Sequence, residues 1–121
     1  MFKKDLKPES FKEVETIIGE SIEVNGNFKG NGNIIVEGIL NGSLETQGNV
    51  FIGDKSKISA NISAKEVIIN GDITGNISVS GLLTIGASAK INGDIECTQI
   101  AVESGAVING KISMSANSAL V

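Results

Sequence analysis

The chain repeats one short pattern along most of its 121 residues. Each copy has an apolar residue, five residues, a second apolar residue, any residue, Gly or Ala, any residue, and a third apolar residue. The copies are Ile18–Phe28, Ile34–Leu44, Ile52–Ile62, Val67–Ile77, Ile85–Ile95 and Val102–Ile112, so successive copies start 16, 18, 15, 18 and 17 residues apart. One such copy cannot bury its apolar residues alone, so the pattern predicts a solenoid with stacked repeats.

Within a copy the residues alternate as they do in a β-strand. Ile91, Gly93 and Ile95 alternate with polar Asn92 and Asp94, which is a period of two. No segment keeps a helical period, and a composition with 15 Gly, 1 Pro and many Ile and Val suits short strands joined by turns. We therefore predict an all-β chain that forms a single parallel β-helix of about six rungs, stacked about 4.8 Å apart.

A column of small residues marks one bend in every copy. Its members are Gly26, Gly42, Ala60, Gly75, Gly93 and Gly110. Asn-Gly between apolar residues also suggests a hairpin turn, so a meander of hairpins is the alternative fold. The flanking apolar residues are only four positions apart, which leaves too few residues for two paired strands. Repeats of 15 to 18 residues do not fit the strict six-residue sides of left-handed hexapeptide helices, and parallel crossovers are normally right-handed, so we expect a right-handed β-helix.

The charged residues fit a structural role. Lys57, Asp72 and Lys90 precede the second apolar column in successive copies, and Asp94 would lie beside Lys111. Opposite charges on neighbouring strands contribute about 0.2–1 kcal/mol each. This interpretation is favoured over a carboxylate site.

The sequence offers little for catalysis. Segments such as IGDKSK resemble the hexapeptide repeats of acyltransferases, but those enzymes use a histidine base and this chain has no histidine. Cys97 falls in a column with Thr46, Ala64, Val79 and Met114, so a core position is favoured over a nucleophile or a zinc ligand. A GxxxxGK[ST] phosphate-binding motif is also missing. We therefore expect no enzyme activity, no cofactor, no metal and no nucleotide.

Composition also restricts the partners. A net charge of −4 and the lack of Tyr and Trp argue against nucleic-acid binding. The single cysteine fits a reducing compartment. The polar start MFKKDLKPES has no apolar core of a secretory signal, and the apolar runs are far shorter than the ~20 residues of a membrane span. The expectation is a cytoplasmic protein.

The two ends of the predicted solenoid are the candidate functional surface. Solenoids normally close their ends with polar capping repeats, and this chain has apolar residues there instead. An uncapped end presents unpaired strand edges around an apolar centre, which favours stacking of molecules into a filament. The residues expected at this interface are Phe11, Val14, Ile18, Val24, Phe28, Val102, Ile108, Ile112 and Met114. The alternative is that the terminal segments fold over the ends and keep the protein monomeric.

The tandem I-N-G-[DK]-I and G-A-x-[AV]-x-x-G-x-I motifs resemble those of the bactofilins, over roughly residues 15 to 114. The resemblance implies a right-handed, three-sided β-helix that polymerises without nucleotide into non-polar filaments, joining like end to like end. It also implies a scaffold that localises cell-wall enzymes or shapes the cell. The family's apolar contact residue in the last rung, often a phenylalanine, matches Ile112, with Met114 beside it. The lack of a phenylalanine there implies a contact that is weaker or differently packed.

The chain divides into three predicted parts: an N-terminal tail (1–13), the polymerising β-helix (14–114) and a short C-terminal tail (115–121). In the first tail Met1, Phe2 and Leu6 stand beside Lys3 and Lys4, a combination that favours insertion at an anionic membrane surface. A disordered tail is the alternative. The expected partners are further copies of the chain, the inner face of the cytoplasmic membrane and cell-wall or cytoskeletal proteins. The second functional hypothesis is a monomeric β-helix that recruits a partner protein through one flat face.

Overall fold

The computed structural model describes residues 14–114, and within this range it contains strands and no helix. All strand pairs are parallel and belong to one continuous sheet. The thirteen strands are β1 (Val14–Ile18), β2 (Glu23–Gly30), β3 (Asn33–Val36), β4 (Ile39–Thr46), β5 (Asn49–Ile52), β6 (Lys57–Ala64), β7 (Glu66–Ile69), β8 (Asp72–Thr74), β9 (Ile77–Ile85), β10 (Lys90–Asn92), β11 (Ile95–Val102), β12 (Val107–Asn109) and β13 (Ile112–Met114). The all-β prediction is confirmed.

The sheet winds around three faces. Face A consists of β1, β3, β5, β7 and the second halves of β9 and β11. Face B consists of the first parts of β2, β4 and β6, followed by β8, β10 and β12. Face C consists of the second parts of β2, β4 and β6, the first parts of β9 and β11, and β13. Six strands on each face give six rungs, as predicted.

Two of the three predicted apolar columns form the core in the expected register. In the four inner rungs their members are at most 2% exposed. The face B column is Val24, Leu40, Ile58, Ile73, Ile91 and Ile108, and the face C column is Phe28, Leu44, Ile62, Ile77, Ile95 and Ile112. Burial of one such side chain is worth on the order of 1.5–3 kcal/mol, so the stacked columns stabilise the rod from inside.

The third column, on face A, differs from the prediction in two rungs. Ile18 pairs with Val36 rather than with Ile34, and Ile69 takes the place predicted for Val67. The cause is the corner between faces A and B, which has two residues in these rungs and four in the others. The predicted residues lie two positions earlier on the same strand, where the period of two also directs them into the core.

The corner between faces B and C depends on the glycine column. A Cβ on Gly93 would collide with the backbone carbonyl oxygen of Gly75, and a Cβ on Gly75 would collide with that of Ala60. Ala60 has no positive φ, and its side chain is buried within the uninterrupted strand β6. Positive φ angles occur at Gly26, Gly42, Gly75, Gly93 and Gly110. The predicted column of bends is therefore confirmed, with the single alanine accommodated by an extended backbone.

Polar side chains just after this corner connect neighbouring rungs. The Oδ1 atom of Asn61 accepts a hydrogen bond from the backbone N–H of Asn76 at 3.0 Å. Asn76 Oδ1 accepts one from the N–H of Asp94, and Asp94 Oδ1 accepts one from the N–H of Lys111, both at 3.2 Å. Asp94 thus lies beside Lys111 as predicted, but it contacts the backbone of this lysine.

The predicted column of opposite charges forms no ion pair. Lys57 and Lys90 flank Asp72 on neighbouring strands. Within residues 14–114, however, the ion pair is a different one, Lys55 Nζ to Glu20 Oε2 at 3.3 Å. Both of its side chains are mostly exposed, so it contributes little to stability.

Candidate assembly interface

The last rung of the β-helix, residues 99–114, ends in open strand edges. We call it the C-terminal rung; it contains the second half of β11 together with β12 and β13. Among the described residues each of these strands is paired on one side only, with β9, β10 and β11 respectively. The other edge presents backbone N–H and C=O groups along the rod axis, where a further strand can pair.

The C-terminal rung also leaves the apolar interior open. Val102, Ile112 and Met114 are 49%, 41% and 54% exposed, and Ile108 is half-buried. Their neighbours in the same columns one rung earlier are at most 3% exposed. The difference arises because no described rung covers the last one. An apolar surface of this kind, surrounded by unpaired strand edges, is suited to contact with another protein chain.

The first rung, residues 14–30, is covered more completely. We call it the N-terminal rung. Ile18 is 7% exposed, while Val24 and Phe28 are half-buried against the core. Val14 begins β1, and Phe11 lies outside the described residues. The predicted interface residues therefore form two groups at opposite ends of the rod, with the larger apolar exposure at the C-terminal rung.

Two further apolar residues belong to this end and were missed in the sequence. Ile100 and Ala106 are half-buried and pack against the core beneath the C-terminal rung. Ile100 pairs with the buried Leu83 and lies two residues before Val102. The period of two in a strand could therefore have predicted that Ile100 points inward. Ala106 occupies the same corner position as Ala89 one rung earlier, because Val107 and Lys90, the residues that follow them, pair with each other.

The two terminal rungs differ in charge. Residues 99–114 contain one acid, Glu103, and one base, Lys111, so the C-terminal rung has no net charge. Residues 14–30 contain three glutamates and one lysine, a net charge of −2. The side-chain ladder also ends at Lys111, because an ammonium group has donors and no acceptor. Contact between two C-terminal rungs therefore brings no net charges together.

The rest of the described surface contains little chemistry. Burial raises the pKa of the Cys97 thiol, which disfavours the nucleophilic thiolate. Among residues 14–114, no three His, Cys, Asp or Glu side chains are grouped to hold a metal ion. In the same range no helix has the length and apolar character needed to cross a bilayer. An open groove on face C is lined by polar side chains such as Ser63, Ser78 and Glu96.

The residues predicted to contact a membrane, Met1, Phe2, Lys3, Lys4 and Leu6, lie outside the described residues. Their role stays a prediction from the sequence. The described structure therefore presents one candidate site, the open apolar rung at the C-terminal end of the rod.

Comparison with known proteins agrees with this fold. Residues 16–113 match the family model described as "Bactofilin: Polymer-forming cytoskeletal". Over 98 residues the chain is 58% identical to bactofilin BacN of Myxococcus xanthus (strain DK1622), covering 81% of this chain and 87% of that protein. A cryo-EM structure of Thermus thermophilus bactofilin double helical filaments matches with a TM-score of 0.79 at 22% identity, covering 84% of this chain and 100% of the other.

The family match spans nearly the whole described β-helix, and the relative from Myxococcus is similar over 98 residues. The match to the Thermus structure shows the fold. The resemblance noted in the repeat motifs is thereby confirmed, and the chain belongs to the bactofilin family of polymer-forming cytoskeletal proteins.

Proposed function

We propose that this protein assembles without nucleotide into non-polar filaments, by stacking of β-helices end to end. The observation that carries the proposal is the open C-terminal rung, where Val102, Ile112 and Met114 expose the apolar interior beside unpaired strand edges. Stacking of a second molecule would bury these side chains and continue the apolar columns of the core across the junction. Neither contribution requires a bound nucleotide or its hydrolysis.

The energetics of such a junction are those of one further rung contact. Each new backbone hydrogen bond contributes about 0.5–1.5 kcal/mol net. Full burial of a large apolar side chain contributes about 1.5–3 kcal/mol, and stacking would bury only the 41–54% of Val102, Ile112 and Met114 that is still exposed. Preformed strands lose little conformational freedom on association, which lowers the cost of assembly.

Two C-terminal rungs meet without net charge, whereas two N-terminal rungs bring −2 against −2, so charge favours a tighter junction between C-terminal rungs than between N-terminal rungs. In head-to-tail stacking the ladder of side-chain acceptors would stop at Lys111. A filament with C-terminal rungs paired to each other, and N-terminal rungs paired in turn, has no overall polarity. We place the stronger junction at the C-terminal rung.

The filament would act as a scaffold at the inner face of the cytoplasmic membrane, where it would position cell-wall or cell-shape proteins. The supporting observation is the sequence of residues 1–13, in which Phe2 and Leu6 stand among lysines. One such segment binds a membrane weakly. A filament repeats the segment along its length, so many weak contacts add to a firm attachment.

The test is electron microscopy of the purified protein without nucleotide. The Ile112→Arg variant places a charge in the apolar centre of the C-terminal rung, and the matched Ser113→Arg variant places the same charge on the outer side of the same strand. We expect filaments for the parent and for Ser113→Arg, and single particles or short pairs for Ile112→Arg. Filaments of unchanged length in Ile112→Arg would move the junction elsewhere. Single particles of the parent protein would instead favour the monomeric binding module.

A further inference from the structure

The corner between faces B and C places an asparagine directly before glycine in four of the six rungs. These pairs are Asn25–Gly26, Asn41–Gly42, Asn92–Gly93 and Asn109–Gly110. Asn-Gly is a dipeptide prone to deamidation, because glycine has no side chain to hinder attack of its own backbone nitrogen on the neighbouring amide, and its backbone turns easily. The hydrogen bonds around the last two pairs show that they are not equally protected.

The pair in the fifth rung, Asn92–Gly93, is held on both sides of its peptide group. The carbonyl oxygen of Asn92 accepts a hydrogen bond from the N–H of Gly75 at 2.9 Å. The N–H of Gly93 donates to the carbonyl oxygen of Asn109 at 3.0 Å. Rotation of this peptide group toward the Asn92 side chain breaks both bonds, so the pair is kept away from the reactive conformation.

The pair in the last rung, Asn109–Gly110, is held on one side only. Its carbonyl oxygen accepts the bond from Gly93, but within residues 14–114 the N–H of Gly110 has no acceptor. In this column the glycine N–H points toward the next rung, and no described rung follows the C-terminal one. The bond from Asn109 Nδ2 to Asn92 Oδ1 at 3.1 Å joins the two side chains, so it restrains both pairs alike.

We propose that Asn109–Gly110 is a deamidation site whose reactivity depends on assembly. The nitrogen of Gly110 attacks Cγ of Asn109, the new N–Cγ bond closes a succinimide ring, and Nδ2 leaves as ammonia with the proton of the Gly110 N–H. Water then opens the ring, at Cγ to leave aspartate or at the backbone carbonyl carbon to leave isoaspartate. Water is the only co-reactant, and both residues are exposed to it.

The product changes the surface used in assembly, and this consequence rests on the proposed function. The C-terminal rung contains Glu103 and Lys111, so one further carboxylate at position 109 gives it a net charge of −1, and two such rungs repel each other. Isoaspartate also adds a backbone atom between Ile108 and Ile112, which moves the two columns out of register. Stacking covers the Gly110 N–H. An unassembled subunit therefore ages at this pair and becomes a poorer partner.

The two pairs can be compared within one molecule, because trypsin cuts after Lys90 and Lys111 and releases both on the peptide 91–111. The parent protein is incubated at slightly alkaline pH, below the concentration at which filaments sediment, and mass spectrometry follows the loss of each asparagine. We expect Asn109 to deamidate roughly 2–10-fold faster than Asn92, as one hydrogen bond fewer implies. Asn109→Gln, whose longer side chain closes the ring far more slowly, should remove the reaction at position 109. Equal rates at the two asparagines would overturn the site.

Filaments of the same parent protein, pelleted after incubation at higher concentration, test the protection. We expect the rate at Asn109 to fall to that of Asn92, and an unchanged rate would overturn the dependence on assembly. Asn109→Asp should raise the concentration needed for sedimentation, whereas the matched Asn92→Asp, with the same charge on an inner rung, should not; equal sedimentation of the two would contradict the effect of ageing. A parent that forms no filament at any concentration would contradict the proposed function and the dependence on assembly, and a faster loss of Asn109 than of Asn92 would still establish the site.

Discussion

At the scale of single residues, glycine determines how closely two rungs approach. Gly93 has a φ of 145°, and its Cα hydrogen lies against the backbone of Gly75 in the rung before it. A side chain in that position meets a carbonyl oxygen rather than the flexible end of another side chain. Relief would need a shift of the backbone, which the strands on both sides oppose. Glycine in this column therefore lets the rungs stack closely, and Ala60 is accommodated because its φ is not positive.

We expect Gly93→Ala to lower the free energy of unfolding by at least about 2 kcal/mol, since a non-glycine residue at positive φ costs about 1–3 kcal/mol before the collision is added. The control is Gly19→Ala, where the new Cβ has its nearest neighbour 3.9 Å away and φ is not positive. Urea-induced unfolding followed by circular dichroism gives both values. Equal stability losses in the two variants would argue against a steric role for Gly93.

At the scale of elements, the strands are connected by side chains as well as by the sheet. Asn61, Asn76 and Asp94 each use a side-chain oxygen to accept the backbone N–H of the equivalent residue in the next rung. These N–H groups lie at the corner, where the regular pairing between strands is interrupted. The bonds are exposed to water, so each one contributes modestly, and together they fix the register of the corner.

The Asn61→Ala change removes one acceptor from this ladder and leaves the Asn76 N–H to water. We expect a loss of about 0.5–1.5 kcal/mol in the free energy of unfolding. The conservative Asn61→Asp change keeps an oxygen in place, as Asp94 does naturally, and should recover most of the loss in the same urea titration. An equally unstable Asn61→Asp variant would show that the acceptor is not what matters at this position.

At the scale of the whole molecule, the rod has two unlike ends. The C-terminal rung exposes apolar interior and carries no net charge, whereas the N-terminal rung is better covered and acidic. The proposed assembly uses these rung ends, and the proposed membrane contact uses residues 1–13.

Attachment to a membrane through many weak contacts should depend on both the segment and the filament. We expect Phe2→Ser combined with Lys3→Ser to abolish co-sedimentation of filaments with anionic vesicles, because both apolar insertion and charge attraction are reduced. Asp5→Ser combined with Glu9→Ser, in the same segment, should leave binding unchanged or strengthen it. Unassembled Ile112→Arg should bind weakly, since avidity is lost. Unchanged binding of the first variant would remove the membrane role.

The sequence by itself determined the strands, the inner columns on faces B and C, the glycine corner and the family, because each rests on a local rule. The period of two in a β-strand directs both Ile91 and Ile95 inward. The bend between them leaves no room for a Cβ, so position 93 requires glycine. The same local rule identified Ile112 as an inward residue of the last rung.

The tertiary structure alone decided three other features, each of which depends on contacts between distant residues. The short corners after Val36 and Ile69 place the face A column two residues later than predicted in these rungs. The sequence could not show this, because two apolar positions in each strand fit the same pattern. The unequal covering of the two ends depends on what packs beyond each terminal rung. The burial of Phe51 could not be predicted either, because the alternation of residues in a strand gives the direction of a side chain and not its exposure.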